Sequence, residues 1–191
     1  MADGLPVLQF ASAGTWDAWL ADHHATSPGI WLKIARKGSG IPSVDYSEAV
    51  DTALCYGWID GQKDSHDGDF WLQRFTPRRP AGKWSRVNTA RAEALIRAGR
   101  MRPAGLREVE MARADGRWQA AYQPQSTATV PADLAEALQA NPTAAAFFAG
   151  LDSANRYAIL YRVADAKRPE TRARRIAGFV AMLADHKKLH G

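Results

Sequence analysis

The sequence predicts an α+β protein, with a small, mainly antiparallel sheet and helices in its N-terminal part and an all-helical C-terminal part. Three observations carry this. Gly57 to Lys63 and Asp69 to Phe75 read as two strands flanking Asp67-Gly68, a dipeptide that favours a two-residue hairpin turn. Asp45-Tyr46-Ser47-Glu48 is an acidic cap followed three residues later by Glu, which opens a helix just before the hairpin. From Arg102 onward, apolar residues recur at helical spacing between prolines and glycines. With 46% hydrophobic and 24% charged residues in 191, the chain can bury a substantial core.

Taken in order, Pro6 to Phe10 reads as a short first strand. Thr15 is expected to cap a helix that turns Trp16, Trp19 and Leu20 inward and ends near His23-His24. Gly29 to Arg36 alternates as a strand, and Lys37 to Pro42 is a loop whose Gly38-Ser39-Gly40 lacks the pattern of a phosphate-binding loop. The helix opened by Asp45 lays Tyr46, Ala49, Val50, Ala53 and Leu54 on one stripe and stops at Gly57. If no bulge interrupts it, a turn at Asp67-Gly68 pairs Gln62 with Gln73 and Asp60 with Phe75. Trp58, Asp60, Gln62 and Gln73 then share a wet face, while Ile59, Phe70 and Leu72 face the core. Ser85 opens a helix ending before Gly99, and Pro103 starts another that reaches Asp115. Residues 1–117 are thus expected to form an α+β domain, 118–130 a linker rich in Gln, Ser, Thr and Pro, and 131–191 a helical region. That region holds helices at 131–139, 142–149, 153–165 and 169–187.

The net charge of +5 is unevenly spread. Residues 1–73 hold 4 basic and 10 acidic side chains, 74–117 hold 12 and 4, and 118–191 hold 9 and 6. A basic middle third suits an acidic partner, although interleaved arginines on helices also serve as a solvated face. No long apolar run of membrane-spanning length occurs, and the first ten residues do not read as a signal segment, so a cytoplasmic location is expected. A single cysteine suits a reducing compartment. It lies in the last turn of its helix, where the dipole disfavours a thiolate, and packing is its expected role. Adjacent His23 and His24 diverge on a helix, and the aspartates of the hairpin lack the order of a calcium loop. Neither a metal nor a cofactor is expected.

Several of these residues also resemble a known family, the bacteriocin-protection or YdeI/OmpD-associated proteins. The resemblance rests on Tyr46, Glu48-Ala49-Val50, Ala53-Leu54, Gly57-Trp58-Ile59-Asp60, Phe75-Thr76-Pro77-Arg78-Arg79, Trp84-Ser85, Asn88, Gly99, Met101 and Pro103-Ala104-Gly105. It continues in Ala166 to Arg172 with Arg175-Ile176, spanning almost the whole chain and identifying 131–191 with the C-terminal region of that family. It implies protection against bacteriocins and association with a porin, and brings no catalytic residues.

The expected site is an anion-binding corner. Arg78 and Arg79, stiffened by Pro77 and Pro80, sit beside a helix start at Ser85 whose first N–H groups, Arg86 to Asn88, favour negative charge. Trp84 would wall it, Ser85 and Asn88 would add hydrogen bonds, and Trp58 with Asp60 would face it from the hairpin. The favoured reading is a cytoplasmic binding or stress-protection protein for an anionic small molecule or acidic protein partner, without a membrane role. Two alternatives stand beside it: weak, non-specific nucleic-acid binding through the basic third, and an enzyme using Asp60 as base, with the balance leaning away from catalysis. Nothing in the sequence fixes an oligomeric state.

Overall fold

The structure is a computed structural model describing residues 4–190. It divides into two compact units: the described residues up to Trp84 with Asn88–Ala120, and Ser85–Val87 with the residues from Ala121 onward. In the first, strands β1 (Val7–Gln9), β2 (Ile30–Ala35), β3 (Trp58–Ser65) and β4 (Phe70–Pro77) form a sheet in the order β1-β2-β4-β3. Only the β1 and β2 pairing is parallel, so the fold is α+β with a mainly antiparallel sheet. The helices are α1 (Ala13–His23), α2 (Tyr46–Cys55), α3 (Arg86–Arg97) and α4 (Pro103–Ala114).

Local signals set the ends of these elements. Asp45 accepts the Glu48 N–H at 2.8 Å while the Glu48 carboxylate accepts from the Asp45 N–H, closing the expected box on α2. On α1 the cap is Ser12 rather than Thr15. The Ser12 hydroxyl accepts from the Thr15 N–H, and Thr15 Oγ1 accepts in return from the Ser12 N–H. Thr15 is thus the inner member of the box, and the helix starts a turn earlier than its own capping would allow.

The hairpin departs from the uninterrupted register. Its turn closes between Asp67 and Phe70, one residue later than expected, because the Asp67 carboxylate accepts from the N–H groups of Asp69 and Phe70. Lys63 rather than Gln62 then pairs with Gln73, and a bulge between Asp60 and Lys63 restores the expected partnership of Asp60 with Phe75. The Gln73 side chain holds that bulge: its amide, buried to 4% exposure, donates to the carbonyls of Gly61 at 2.9 Å and Gln62 at 3.1 Å.

Of the face expected to be wet, Gln62 is exposed and Asp60 half-buried, while Trp58 and Gln73 are packed. Trp58 is 1% exposed, its ring 6.3 Å from that of Trp16, which in turn lies 5.7 Å from Phe75. Trp16, Leu20, Val50 and Leu54 of α1 and α2 are buried with these rings, and the Trp16 indole N–H donates to Ala49 O at 3.1 Å. Phe70 and Leu72 are buried as expected. Apolar side chains therefore pack on both faces of β4, Phe70 and Leu72 on one and Phe75 on the other, and alternation alone could not choose between them.

The C-terminal end of α2 is where the unit closes. Gly57 adopts φ 74° and donates to Leu54 O, and its own carbonyl accepts from the Arg78 N–H at 2.9 Å. The Cys55 carbonyl accepts from the Arg102 N–H at 3.1 Å, and α4 arrives so closely that a Cβ on Gly105 would lie 2.4 Å from that oxygen.

The second unit is helical: α5 (Ala132–Gln139), α6 (Pro142–Ala149), α7 (Ser153–Ala164) and α8 (Pro169–Ala184) surround Leu134, Phe148, Ile159, Val163, Ile176 and Leu183. Asn141 and Asp152 cap α6 and α7. Between 118 and 130 the chain holds one 3₁₀ turn, Gln125–Thr127, and Ala128 and Val130 pack against the helical core.

Gly105→Ala should lower stability by about 2 kcal/mol or more, because the added methyl collides with backbone that cannot yield. A urea titration that leaves the midpoint unmoved would show that α4 sits less tightly on α2 than described.

Candidate functional site

The expected corner is built differently from its sequence reading. Arg78 is only 7% exposed; its guanidinium lies 3.6 Å from the centre of the Trp84 ring and donates to Lys83 O at 2.9 Å. Trp84 is itself buried, with Trp118 packed 4.9 Å away and Arg113 over the Trp118 ring at 5.0 Å. Arg78 and Trp84 are thus brought together as a packed stack, while Arg79 is exposed beside them. Ser85 is buried and bridges to Tyr122 in the second unit, where the Arg86 N–H donates to Tyr122 O at 2.9 Å. The first donor of the α3 terminus is therefore already committed. Asn88 is half-buried on α3.

Trp58 and Asp60 lie on β3 with different surroundings. The Trp58 indole N–H donates to His24 O at 3.0 Å, which corrects the expectation that this ring lines a wet face. Asp60 is half-buried and accepts the Tyr46 hydroxyl at 2.6 Å. Burial first, and then Asp60, push the Tyr46 hydroxyl well above the usual phenol range. Arg91, on α3, bonds Asp51 at 2.6 Å and the Ser47 hydroxyl at 3.1 Å.

The structure assembles a different group of polar residues. A cleft of about 490 Å³ is lined by Asp17 and Ala21 of α1, His24 just after it, Tyr56 at the end of α2, and Arg102, Pro103, Ala104 and Arg107 at the start of α4. The Tyr56 hydroxyl donates to Asp17 Oδ1 at 3.2 Å, and Arg102 Nη2 lies 3.5 Å from Asp17 Oδ2. Burial, followed by the charge of Asp17, raises the Tyr56 hydroxyl above its ordinary value, so it stays a donor at neutral pH. The His24 ring places Nδ1 2.8 Å from Leu20 O; a carbonyl only accepts, so Nδ1 carries the proton and Nε2 is left with a lone pair in the neutral ring. Among the described residues Arg107 has no hydrogen-bond or ion-pair partner, and α4 opens without a side-chain cap.

Sequence reasoning missed this cleft because its walls come from three separated stretches. The motif residues it singled out stand directly behind: Trp58 fixes the backbone of His24, and Gly105 seats the first turn of α4. Pro103-Ala104, quoted above for the family resemblance, is itself part of the lining. Asp17 carries no local signal at all.

Residues 8–108, more than half the chain, match the family model described as Domain of unknown function (DUF8412). The chain belongs to that family. Every residue lining the cleft falls inside the matched segment, as do the N-terminal residues of the resemblance, Tyr46 to Gly105. Residues 127–186 match the family described as Bacteriocin-protection, YdeI or OmpD-Associated, and the stretch from Ala166 to Ile176 lies within it. No curated protein and no solved structure gives a significant match.

Two tests follow from these placements. Arg78→Ala should destabilise the fold by about 2 kcal/mol, the scale of a desolvated cation–π stack, whereas Arg79→Ala should fall within about 0.5 kcal/mol of wild type in the same urea titration. Equal effects would return Arg78 to the surface. Burial, ahead of the opposing charges of Arg100 and Asp17, pushes the Cys55 thiol from 9.0 up to about 11. The folded state therefore holds this proton more tightly than the unfolded chain, so its contribution is complete below pH 9.0 and is lost as pH rises through about 11. Native protein should resist thiol reagents at pH 8, and Cys55→Ala should flatten the alkaline loss of stability.

Proposed function

We propose that the protein is a binding protein of the protective kind named by its C-terminal family match, and that its first unit recognises an anionic small molecule or the acidic group of a partner. The observation that supports this most is the cleft at the start of α4, where Arg102, Arg107 and the Tyr56 hydroxyl converge in about 490 Å³. Its volume lies within the range of small-molecule sites, and its donors outnumber its one carboxylate. The site is placed here rather than at Arg78 and Arg79, because Arg78 is spent on Trp84 and on the Lys83 carbonyl. Asp60, bonded to Tyr46, is not given a catalytic role.

A cytoplasmic location belongs to the same reading. It is supported by one buried, unpaired cysteine; among the described residues no helix is long and apolar enough to cross a membrane. Recovery of the native protein chiefly from an outer-membrane fraction would overturn it.

Inorganic phosphate, sulfate and small carboxylates should each raise the melting temperature of wild-type protein. Arg102→Ala and Arg107→Ala should each weaken binding roughly tenfold or more, the usual scale of one charge-assisted hydrogen bond. Arg79→Ala, as control, should bind as wild type does. Anions that stabilise all four proteins equally act on the solvent or on scattered surface charge, and would sink the reading.

A further inference from the structure

The cleft is charged with opposite signs on its two walls. Its α1 wall carries Asp17, with Ala21 and His24 one and two turns further on, all on one side of the helix. Its α4 wall carries Arg102 and Arg107, five residues apart, at the helix end whose dipole is positive. Tyr56 lies with Asp17, bonded to one carboxylate oxygen, while Arg102 faces the other. A carboxylate has about four lone-pair positions, so these two contacts leave Asp17 with acceptor capacity.

This arrangement discriminates among anions. A ligand with negative charge alone gains from Arg107 and Arg102 but meets the like charge of Asp17 on the facing wall. A ligand that also carries an ammonium group turns that repulsion into attraction. Its positive end can take the lone pairs Asp17 retains, and its acid group can take the N–H fork of Arg107. Ala21, the smallest side chain on the α1 wall, leaves room beside Asp17 for such a group.

On the reading that this cleft binds anions, we infer that its ligand is a zwitterion of amino-acid size, with its ammonium against Asp17 and its acid group against Arg107 and the first turn of α4. Asp17 is then the specificity-determining residue of the site. It selects for the amine rather than adding to the hold on the acid.

The test is calorimetric and uses the full chain. Matched pairs that differ only in the amine are titrated: L-glutamate against glutarate, L-phenylalanine against 3-phenylpropionate, and glycine against acetate. For at least one pair the amino acid should bind tenfold or more tightly than its deaminated partner. Asp17→Asn, which keeps an oxygen to accept from Tyr56, should abolish that preference and strengthen the deaminated acid. If the acids bind as well as the amino acids to wild type, selection by Asp17 is wrong while anion binding stands. If neither series binds but inorganic phosphate does, with dependence on Arg107, the zwitterion is again wrong and the anion site survives. If no probe binds at all, both readings fall together. The wild-type comparison decides the question even if Asp17→Asn fails to fold.

Discussion

The first unit depends on how the C-terminal end of α2 is closed. A helix end leaves carbonyl groups without intrahelical donors, and burying them unmatched costs more than most single contacts return. Here the Leu54 carbonyl is met by the Gly57 N–H and that of Cys55 by the Arg102 N–H, while the missing side chain of Gly105 lets α4 come to rest against both. The same junction sends the chain into β3 at Trp58 and receives β4 back through the bond from the Arg78 N–H to Gly57 O. Sheet, α2 and α4 are thereby fixed by one small set of backbone contacts.

This explains what the motif residues do. Gly57, Trp58, Arg78, Trp84 and Gly105 invite a functional reading because glycine, tryptophan and arginine are also the vocabulary of binding sites. In the fold, Trp58 and Trp84 are packed rings, Arg78 is the plane laid against one of them, and the glycines permit close approach. The basic middle third is spent in the same way. Arg91 is held by Asp51, Arg117 by Asp115 and the Gly82 carbonyl, and Arg113 by the Trp118 ring and Glu93. A net positive count in sequence thus overstates the positive surface on offer.

What was legible in the sequence was local. The box at Asp45, the stops at Gly57 and Gly99, and the proline starts of α4, α6 and α8 depend on residues a turn apart, and the structure places them where spacing demanded. The hairpin was legible in its strands and in the pairing of Asp60 with Phe75, but its intervening register turned on the Asp67 carboxylate and on Gln73, whose reach into the opposite strand no spacing rule contains. The burial of Trp58 was misjudged because Asp60, a polar neighbour two residues on, made it look solvated. Asp17 and Arg102 meet only through tertiary packing, so their cleft could not be seen before the fold was known.

The bulge held by Gln73 reaches beyond the hairpin. β3 is the outermost strand of the sheet, and an outer strand offers a row of open backbone groups to any neighbouring chain. By drawing the carbonyls of Gly61 and Gln62 together onto a buried amide, Gln73 takes from that row the one that regular alternation would turn outward, and breaks the flat run just before Lys63 and Asp64 place charge along it. One glutamine in the middle of the sheet therefore keeps its border from becoming a template for assembly, a protection against aggregation set one strand away from where it acts.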